Sequence, residues 1–223
     1  MMSPFAYTPK ALELQQRFDT QTLAAAELQV IVHQQLTAAD QAFIRRMEMF
    51  WLATVDPQGS PTVSFKGGAP GFVQVHDEGT LLFPCFDGNG MFYSMGNIAS
   101  TSHIGMLFMD FVTPSRLRVQ GDAELTDERS VVKQWPGAQF GVRVRITALI
   151  TNCPRYIPRM KRLSGSRYVP NTATGEQPIP AWKRIDAIQG VLPGRDQGKA
   201  GDIGGLITMG EWEDMVKRGD PLA

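Results

Sequence analysis

Ser64 and Lys66 close the strand-like run Pro61-Thr62-Val63-Ser64-Phe65-Lys66, and the glycine-rich stretch Gly67-Gly68-Ala69-Pro70-Gly71 follows. A hydroxyl and an ammonium are natural partners for a phosphate, and glycines let backbone approach a ligand closely. The same stretch also reads as a wide turn, since neither GxGxxG nor GxxxxGK(S/T) is present. Further on, the segment Asp87-Gly88-Asn89-Gly90-Met91-Phe92-Tyr93-Ser94 leads into a helix start. Free backbone N–H groups there can cradle a phosphate, with Asn89 and Ser94 as added donors; simple helix capping by Asn89 is the alternative.

Arg116 and Arg118 lie two apart on a strand and so share a face, with Gln120 continuing the row. Such a row is either solvated or the wall of a groove that meets a heterocycle. Asn152-Cys153-Pro154-Arg155-Tyr156 ends the last strand, inside a stretch from Arg129 to Gly175 that holds nine Lys or Arg and no Asp or Glu. This run is a solvated face or a positive potential for a phosphorylated ligand. His33, His76 and His103 sit in no ligand spacing, and no GxSxG occurs, so neither a metal site nor a hydrolase is expected. Cys85 and Cys153 form no CxxC or Cys/His cluster, which argues against a disulfide framework or zinc.

The charge balance narrows the classes further. The 223 residues carry 22 Lys plus Arg against 22 Asp plus Glu, with 43% hydrophobic and 20% charged residues. That composition belongs to a folded soluble chain, and zero net charge argues against a general nucleic-acid binder. No run approaches the roughly 18 apolar residues of a membrane span. Met1 to Lys10 lacks a basic end followed by an apolar run, so a cytoplasmic protein without a membrane partner is expected.

The elements that must position these residues are mostly strands. From Pro9 to about Met47 the spacing is helical, in two or three short helices, one starting at Thr37 with Asp40 three residues on. His33 falls inside this helical stretch. Phe50 to Val55 and Pro61 to Lys66 flank the Asp56-Pro57-Gln58-Gly59 turn as a hairpin, and Gly71 to Val75 with Thr80 to Phe83 form a second. Met91 to Ser100 reads as a short helix, Ile104 to Phe111 as a fully buried strand, and Arg116 to Leu125 as a strand with one wet face. A helix near Asp127 to Lys133 and a strand from Phe140 to Ile150 complete the set. Short strands joined by tight turns favour an antiparallel barrel or sandwich, a mainly β fold with flanking helices. The division expected is a helical segment over 1–41, a barrel over 42–163 and an extension or arm over 164–223, with a closing helix at Gly210 to Lys217. Trp182 and Trp212 are candidate anchors for that arm.

Taken in order, these motifs resemble the pyridoxamine 5′-phosphate oxidase-like, FMN-binding split-barrel family, over roughly Ala42 to Arg162. The ordered set carries the resemblance: the first hairpin, the Gly-Gly-x-Pro-Gly-Phe loop, Phe83 through Ile98, the Arg116 strand and the Asn-Cys-Pro turn. It implies a six-stranded antiparallel split barrel that forms a homodimer, with FMN in clefts at the subunit interface. Val63, Ser64 and Lys66 would touch the flavin and its phosphate, and Asn89, Met91 and Ser94 would wrap the ribityl phosphate. Arg116, Arg118 and Gln120 would face the flavin or the partner subunit, while Asn152, Arg155 and Tyr156 would reach the neighbouring flavin.

Two departures accompany the resemblance. Tyr93-Ser94 stands where the vitamin-forming enzymes place a basic pair, so phosphate charge must be met by Lys66 or the basic segment after Arg143. The region of Arg195-Asp196-Gln197 lacks the family's substrate-binding pattern, which argues against pyridoxamine phosphate as substrate. The implied function is an FMN-dependent oxidoreductase working by hydride transfer at flavin N5 on a small substrate, with no acid or base assigned. The alternatives are a non-catalytic protein that binds, stores or senses flavin, haem or a deazaflavin, and a structural dimer with an empty cleft.

Overall fold

The computed structural model describes residues 5–223, so the chain start expected to lack a leader lies partly outside the described residues. The chain divides into two compact units, Met1–Gly165 and Ser166–Ala223.

The first unit begins with helices α1 (Pro9–Arg17) and α2 (Gln21–Val30), then strand β1 (Val32–His33) and helix α3 (Ala38–Arg46). Thr37 and Asp40 start α3 as a reciprocal capping box, satisfying two backbone donors that the first turn would otherwise leave open. His33 is not helical. It pairs with Leu149 across a strand ladder, and its Nε2 lies 2.9 Å from the Asp40 carboxylate. Burial pushes the Asp40 carboxyl up, but hydrogen bonds from Thr37 and His33 outweigh it and hold the group below its ordinary value.

Strands β2 (Met49–Val55), β3 (Pro61–Gly67), β4 (Gln74–Asp77) and β5 (Thr80–Phe86) form the two expected hairpins. Asp56 Oδ1 accepts from the Gln58 and Ser60 amides, and Gly59 takes φ +87°, which only glycine adopts freely. Helix α4 (Tyr93–Thr101), strands β6 (His103–Asp110) and β7 (Ser115–Thr126), the single turn α5 (Arg129–Val132) and strand β8 (Ala138–Asn152) follow. All pairings are antiparallel in the order β3-β2-β6-β7-β8-β5-β4, with β1 added to β8. The result is a mainly antiparallel β fold with flanking helices. The sheet has eight strands rather than the six expected, and it is not closed, because β3 and β4, at the two ends of the path, do not pair with each other. A two-residue strand such as β1 is too short to interrupt a helical pattern in sequence.

One face of the sheet wraps the core. Phe50 sits at its centre, fully buried, with the rings of Phe72, Phe83 and Phe108 at 5.8, 5.2 and 5.3 Å. The fully buried strand expected at Ile104 to Phe111 alternates instead. Ile104, Met106 and Phe108 face the core, whereas Gly105, Leu107 and Met109 stay half-buried on the outer side. A strand in a sheet with one core-facing side can bury only every second residue. At Gly121 the β7–β8 register shifts, and a Cβ there would meet the Arg145 carbonyl oxygen at 2.6 Å, so a side chain is excluded.

The second unit is built from 3₁₀ turns at Ala181–Arg184, Asp186–Val191 and Lys199–Ile203, and ends in α6 (Met209–Lys217). Thr208 and Glu211 cap α6 reciprocally. Ala181, Ile185, Leu192, Ala200 and Met215 are buried, and beside them a buried ion pair joins Lys183 to Asp196 at 2.9 Å.

Candidate functional site

β3 ends the sheet, so one of its backbone edges pairs with β2 and the other is open. Its residues alternate: Val63 and Phe65 are exposed on the outer side, while Thr62, Ser64 and Lys66 are half-buried on the other. Helix α4 lies across from that second side. Asn97 Nδ2 donates to Thr54 Oγ1 at 3.1 Å, and Thr101 Oγ1 donates to the Val55 carbonyl at 2.8 Å, so α4 is pinned to β2 with its start beside β3. The hydroxyls of Ser64 and Ser94 meet at 3.0 Å.

The start of α4 is bare. Its N-cap is Phe92, in the left-handed conformation at φ 48°, and no side chain caps the helix. The first-turn N–H groups of Tyr93, Ser94 and Met95 have no helical acceptor, and no acidic residue occupies that turn. Asn89 does not cap the helix; its Oδ1 accepts from the Met91 amide at 3.0 Å and shapes the approach instead. A left-handed aromatic residue is held against its own preference, a feature that concentrates at ligand sites.

Between β3 and this helix start lies a cavity of about 410 Å³, walled by 62–66 of β3, by 85–92 and by the first turn of α4. Val63, Ser64, Lys66, Asn89, Met91 and Ser94, all expected from sequence, line it together. Among the described residues Lys66 and Asp87 are the only Lys, Arg, Asp or Glu side chains in its wall. Burial lowers the pKa of Lys66 below the ordinary lysine value, and its amine has no hydrogen bond or ion pair among the described residues. The neighbouring Cys85 thiol is pushed up by burial and by Asp87, with Lys66 opposing. A smaller cavity of about 220 Å³ adjoins the first, and Phe65, Lys66, Cys85, Phe86 and Asp87 wall both.

The other six expected residues do not reach this cavity within the chain. Arg116 and Asn152 are cross-strand partners on β7 and β8, and Arg118 pairs with Ile150. Arg116 Nε and Asn152 Oδ1 are buried without a hydrogen bond. Gln120 is exposed, and Arg155 and Tyr156 lie beyond the end of β8, with Tyr156 92% exposed at φ 68°. The positive stretch is also partly neutralised in space. Arg143 meets Glu124 and Glu128, Arg145 meets Asp122, and Arg162 forms a two-pronged pair with Glu48. Of the basic segment after Arg143, Arg159 and Lys161 have no carboxylate partner among the described residues, while Arg155 has Glu27 as a charged neighbour.

Sequence reasoning passed over Cys85 and Asp87 as site residues. The signal for them was their place at the end of β5, directly before the glycine-rich segment that did draw attention. Among the described residues no three His, Cys, Asp or Glu side chains converge as a metal centre would require, and no helix is long and apolar enough to cross a membrane.

The model of the pyridoxamine 5′-phosphate oxidase family matches residues 36–164, more than half of the chain. No curated protein sequence matches. Among solved structures, HupZ of Group A Streptococcus is similar at 18% identity, with a TM-score of 0.45, covering 56% of this chain and 99% of that one. A Lactobacillus delbrueckii protein provisionally assigned as a pyridoxamine 5′-phosphate oxidase is 26% identical, with a TM-score of 0.43, over 53% of this chain and 95% of that one. An FMN-binding protein from Syntrophomonas wolfei is 12% identical, with a TM-score of 0.39, over 64% and 97%. The family match spans α3 through β8, which contains every wall of the cavity, and the chain belongs to the pyridoxamine 5′-phosphate oxidase family.

Proposed function

We infer that the cavity between β3 and α4 holds FMN and that the protein is a flavin-dependent oxidoreductase acting on a small substrate. The observation that carries this reading is the bare start of α4, where three open backbone donors and the Ser64–Ser94 hydroxyl pair converge on one wall. Helix N-termini of this kind bind phosphate through aligned N–H groups and the helix dipole. Lys66, one pleat beyond Ser64 on the same side of β3, adds the positive charge. About 410 Å³ falls within the range of cofactor pockets, and Phe86, Met91 and Phe92 supply apolar wall for a planar ring system. Bound flavin supplies hydride transfer at N5. The chain's share is to fix the phosphate at α4, to seat the ring against β3 and to shield it with the 88–92 segment.

One lysine against one aspartate leaves the cavity wall near neutral, whereas a phosphate monoester carries close to two negative charges at neutral pH. A second copy of the chain is the proposed source of the balance. The outer face of β3, β2 and β6 is apolar, with the Trp51 ring 6.2 Å from both Phe65 and Phe111, and with Val63 and Phe65 64% and 59% exposed. The β-ladder runs from Phe65 through Trp51 and Leu107 to Arg118, so the Arg116, Arg118 and Gln120 row continues that face. A homodimer packed through it would bring Asn152, Arg155 and Tyr156 towards the neighbouring cavity.

The visible spectrum of the purified protein, followed by anaerobic addition of reduced nicotinamide cofactor, tests the reading. A yellow protein that bleaches supports an oxidoreductase. A yellow protein that no donor or substrate bleaches supports a carrier or sensor, and a colourless one that takes up haem or a deazaflavin but not FMN overturns the cofactor assignment.

A further inference from the structure

We propose that Phe92 is a positioning residue that makes the cavity select a phosphorylated flavin over the same flavin without its phosphate: its ring, held against Phe140, keeps the start of α4 open. The inference rests on the flavin reading and adds to it the device that leaves this helix start bare.

Threonine caps elsewhere in the chain show what an ordinary start does. α1, α3 and α6 begin at Thr8, Thr37 and Thr208, with ψ of 156°, 165° and 162°, and each hydroxyl accepts the amide three residues on at 3.2 Å. An extended N-cap of this kind lays its side chain over the first turn and occupies a donor that a ligand would need. Phe92 turns the other way, at φ 48° and ψ 25°, and its ring goes to Phe140 instead, with centroids 6.1 Å apart and planes tilted by 32°.

A left-handed backbone is costly for any residue with a Cβ and free for glycine. Gly90, two residues earlier, takes φ +77° without that cost, whereas Phe92 needs a contact to hold it. Among the described residues Phe140 is the only aromatic ring against it, and Phe140 is itself fixed, opposite Cys85 in the β5–β8 ladder and packed on the core. Phe92 is 47% exposed, so its ring does little for the core. What the ring fixes is the backbone that bares the Tyr93, Ser94 and Met95 amides. Released from Phe140, residue 92 is free to return to the extended region and the amides lose their aim. A phosphate then loses its donors, while the apolar wall that meets a ring system is otherwise unchanged.

FMN and riboflavin differ only in the phosphate, so the ratio of their affinities in equilibrium dialysis separates this role from a merely structural one, which weakens both alike. The parent is expected to prefer FMN. Phe92→Ser and Phe140→Ala should each lower that preference about two- to tenfold, the worth of one aromatic pair, with riboflavin affinity retained. The double variant should go no further than either single one, and Phe92→Tyr should keep the preference. Phe92→Ser, at a half-exposed position, carries the test if Phe140→Ala does not fold.

A preference unchanged in Phe92→Ser, or both flavins weakened alike, overturns the proposal and leaves the cofactor reading standing. Equal affinity of the parent for FMN and riboflavin also overturns it, since no phosphate contact would exist for Phe92 to hold. A parent that binds neither flavin overturns the cofactor reading, and inorganic phosphate then decides the role of Phe92 through the thermal unfolding midpoint. A midpoint raised by phosphate in the parent and not in Phe92→Ser supports it; the same response in both overturns it.

Discussion

Two groups of six residues, expected from one resemblance to share one cofactor, are placed quite differently. Val63, Ser64, Lys66, Asn89, Met91 and Ser94 line a single cavity, brought together by one edge strand and the helix that crosses it. Arg116, Arg118, Gln120, Asn152, Arg155 and Tyr156 belong to β7, β8 and the segment after it, outside that cavity. The first group is joined by short links, the Ser64–Ser94 hydroxyls and the α4 bonds to Thr54 and Val55. The second group has two buried polar atoms, Arg116 Nε and Asn152 Oδ1, still without partners. A buried polar atom costs free energy until it is satisfied, so the second group is the incomplete half of the arrangement.

The largest expected effect strikes the first group. Ser94→Asp places a carboxylate at the bare helix start, where it would occupy the donors itself and repel a phosphate by several kcal/mol. FMN uptake by equilibrium dialysis should be lost; retained uptake would move the phosphate away from α4. Lys66→Ala should be milder, weakening FMN retention by about 1.5–3 kcal/mol, the value of a charge-assisted contact. Unchanged affinity would show that Lys66 does not serve the phosphate.

Lys66 also sets a pH dependence of opposite sign for binding and for folding. Its pKa is lowered by burial, so FMN affinity should fall as pH rises through that lowered value, and Lys66→Ala should flatten the profile. In the ligand-free protein the unfolded chain binds more protons between the lowered value and 10.5, so stability rises with pH across that window. Lys66→Met should accordingly raise the unfolding midpoint of the ligand-free protein at neutral pH while it weakens FMN. A variant less stable than the parent would show that the amine has a partner when folded.

The second group sharpens the comparison through concentration. If Arg118 and Arg155 act only from a second copy, Arg155→Ala should weaken FMN where light scattering gives a dimer and leave affinity unchanged where dilution gives a monomer. Equal loss at both concentrations would mean the residue acts within its own chain. The smallest effect belongs to the scaffold. Asp40→Asn removes the charged partner of the α3 capping box and should cost about 1 kcal/mol in denaturant unfolding, with FMN uptake intact. Because the Asp40 pKa is lowered, its contribution is present above 3.8 and is lost as pH falls through the lowered value.

Much of the first group was legible in sequence because its determinants are local. The Asp56–Gly59 turn, the Thr37–Asp40 pair and the glycines before α4 each act on backbone within a few residues. What escaped depends on partners distant along the chain. His33 is a strand residue because β8 lies beside it, and the positive run is muted because Glu124, Glu128, Asp122 and Glu48 arrive from other elements. The alternation of β6 was hidden because its outer residues are apolar too, which composition alone cannot separate from full burial. Cys85 and Asp87 carried no motif; they line a cavity only because β3 and the start of α4, distant in sequence, supply its other walls.

Titration of the ligand-free protein with FMN, followed by flavin fluorescence and the visible spectrum, tests the central claim most directly. Saturable quenching that is retained in Arg118→Ala at monomeric dilution and lost in Ser94→Asp is the predicted result. A colourless protein that leaves FMN fluorescence unquenched at every concentration would contradict a flavin site between β3 and α4.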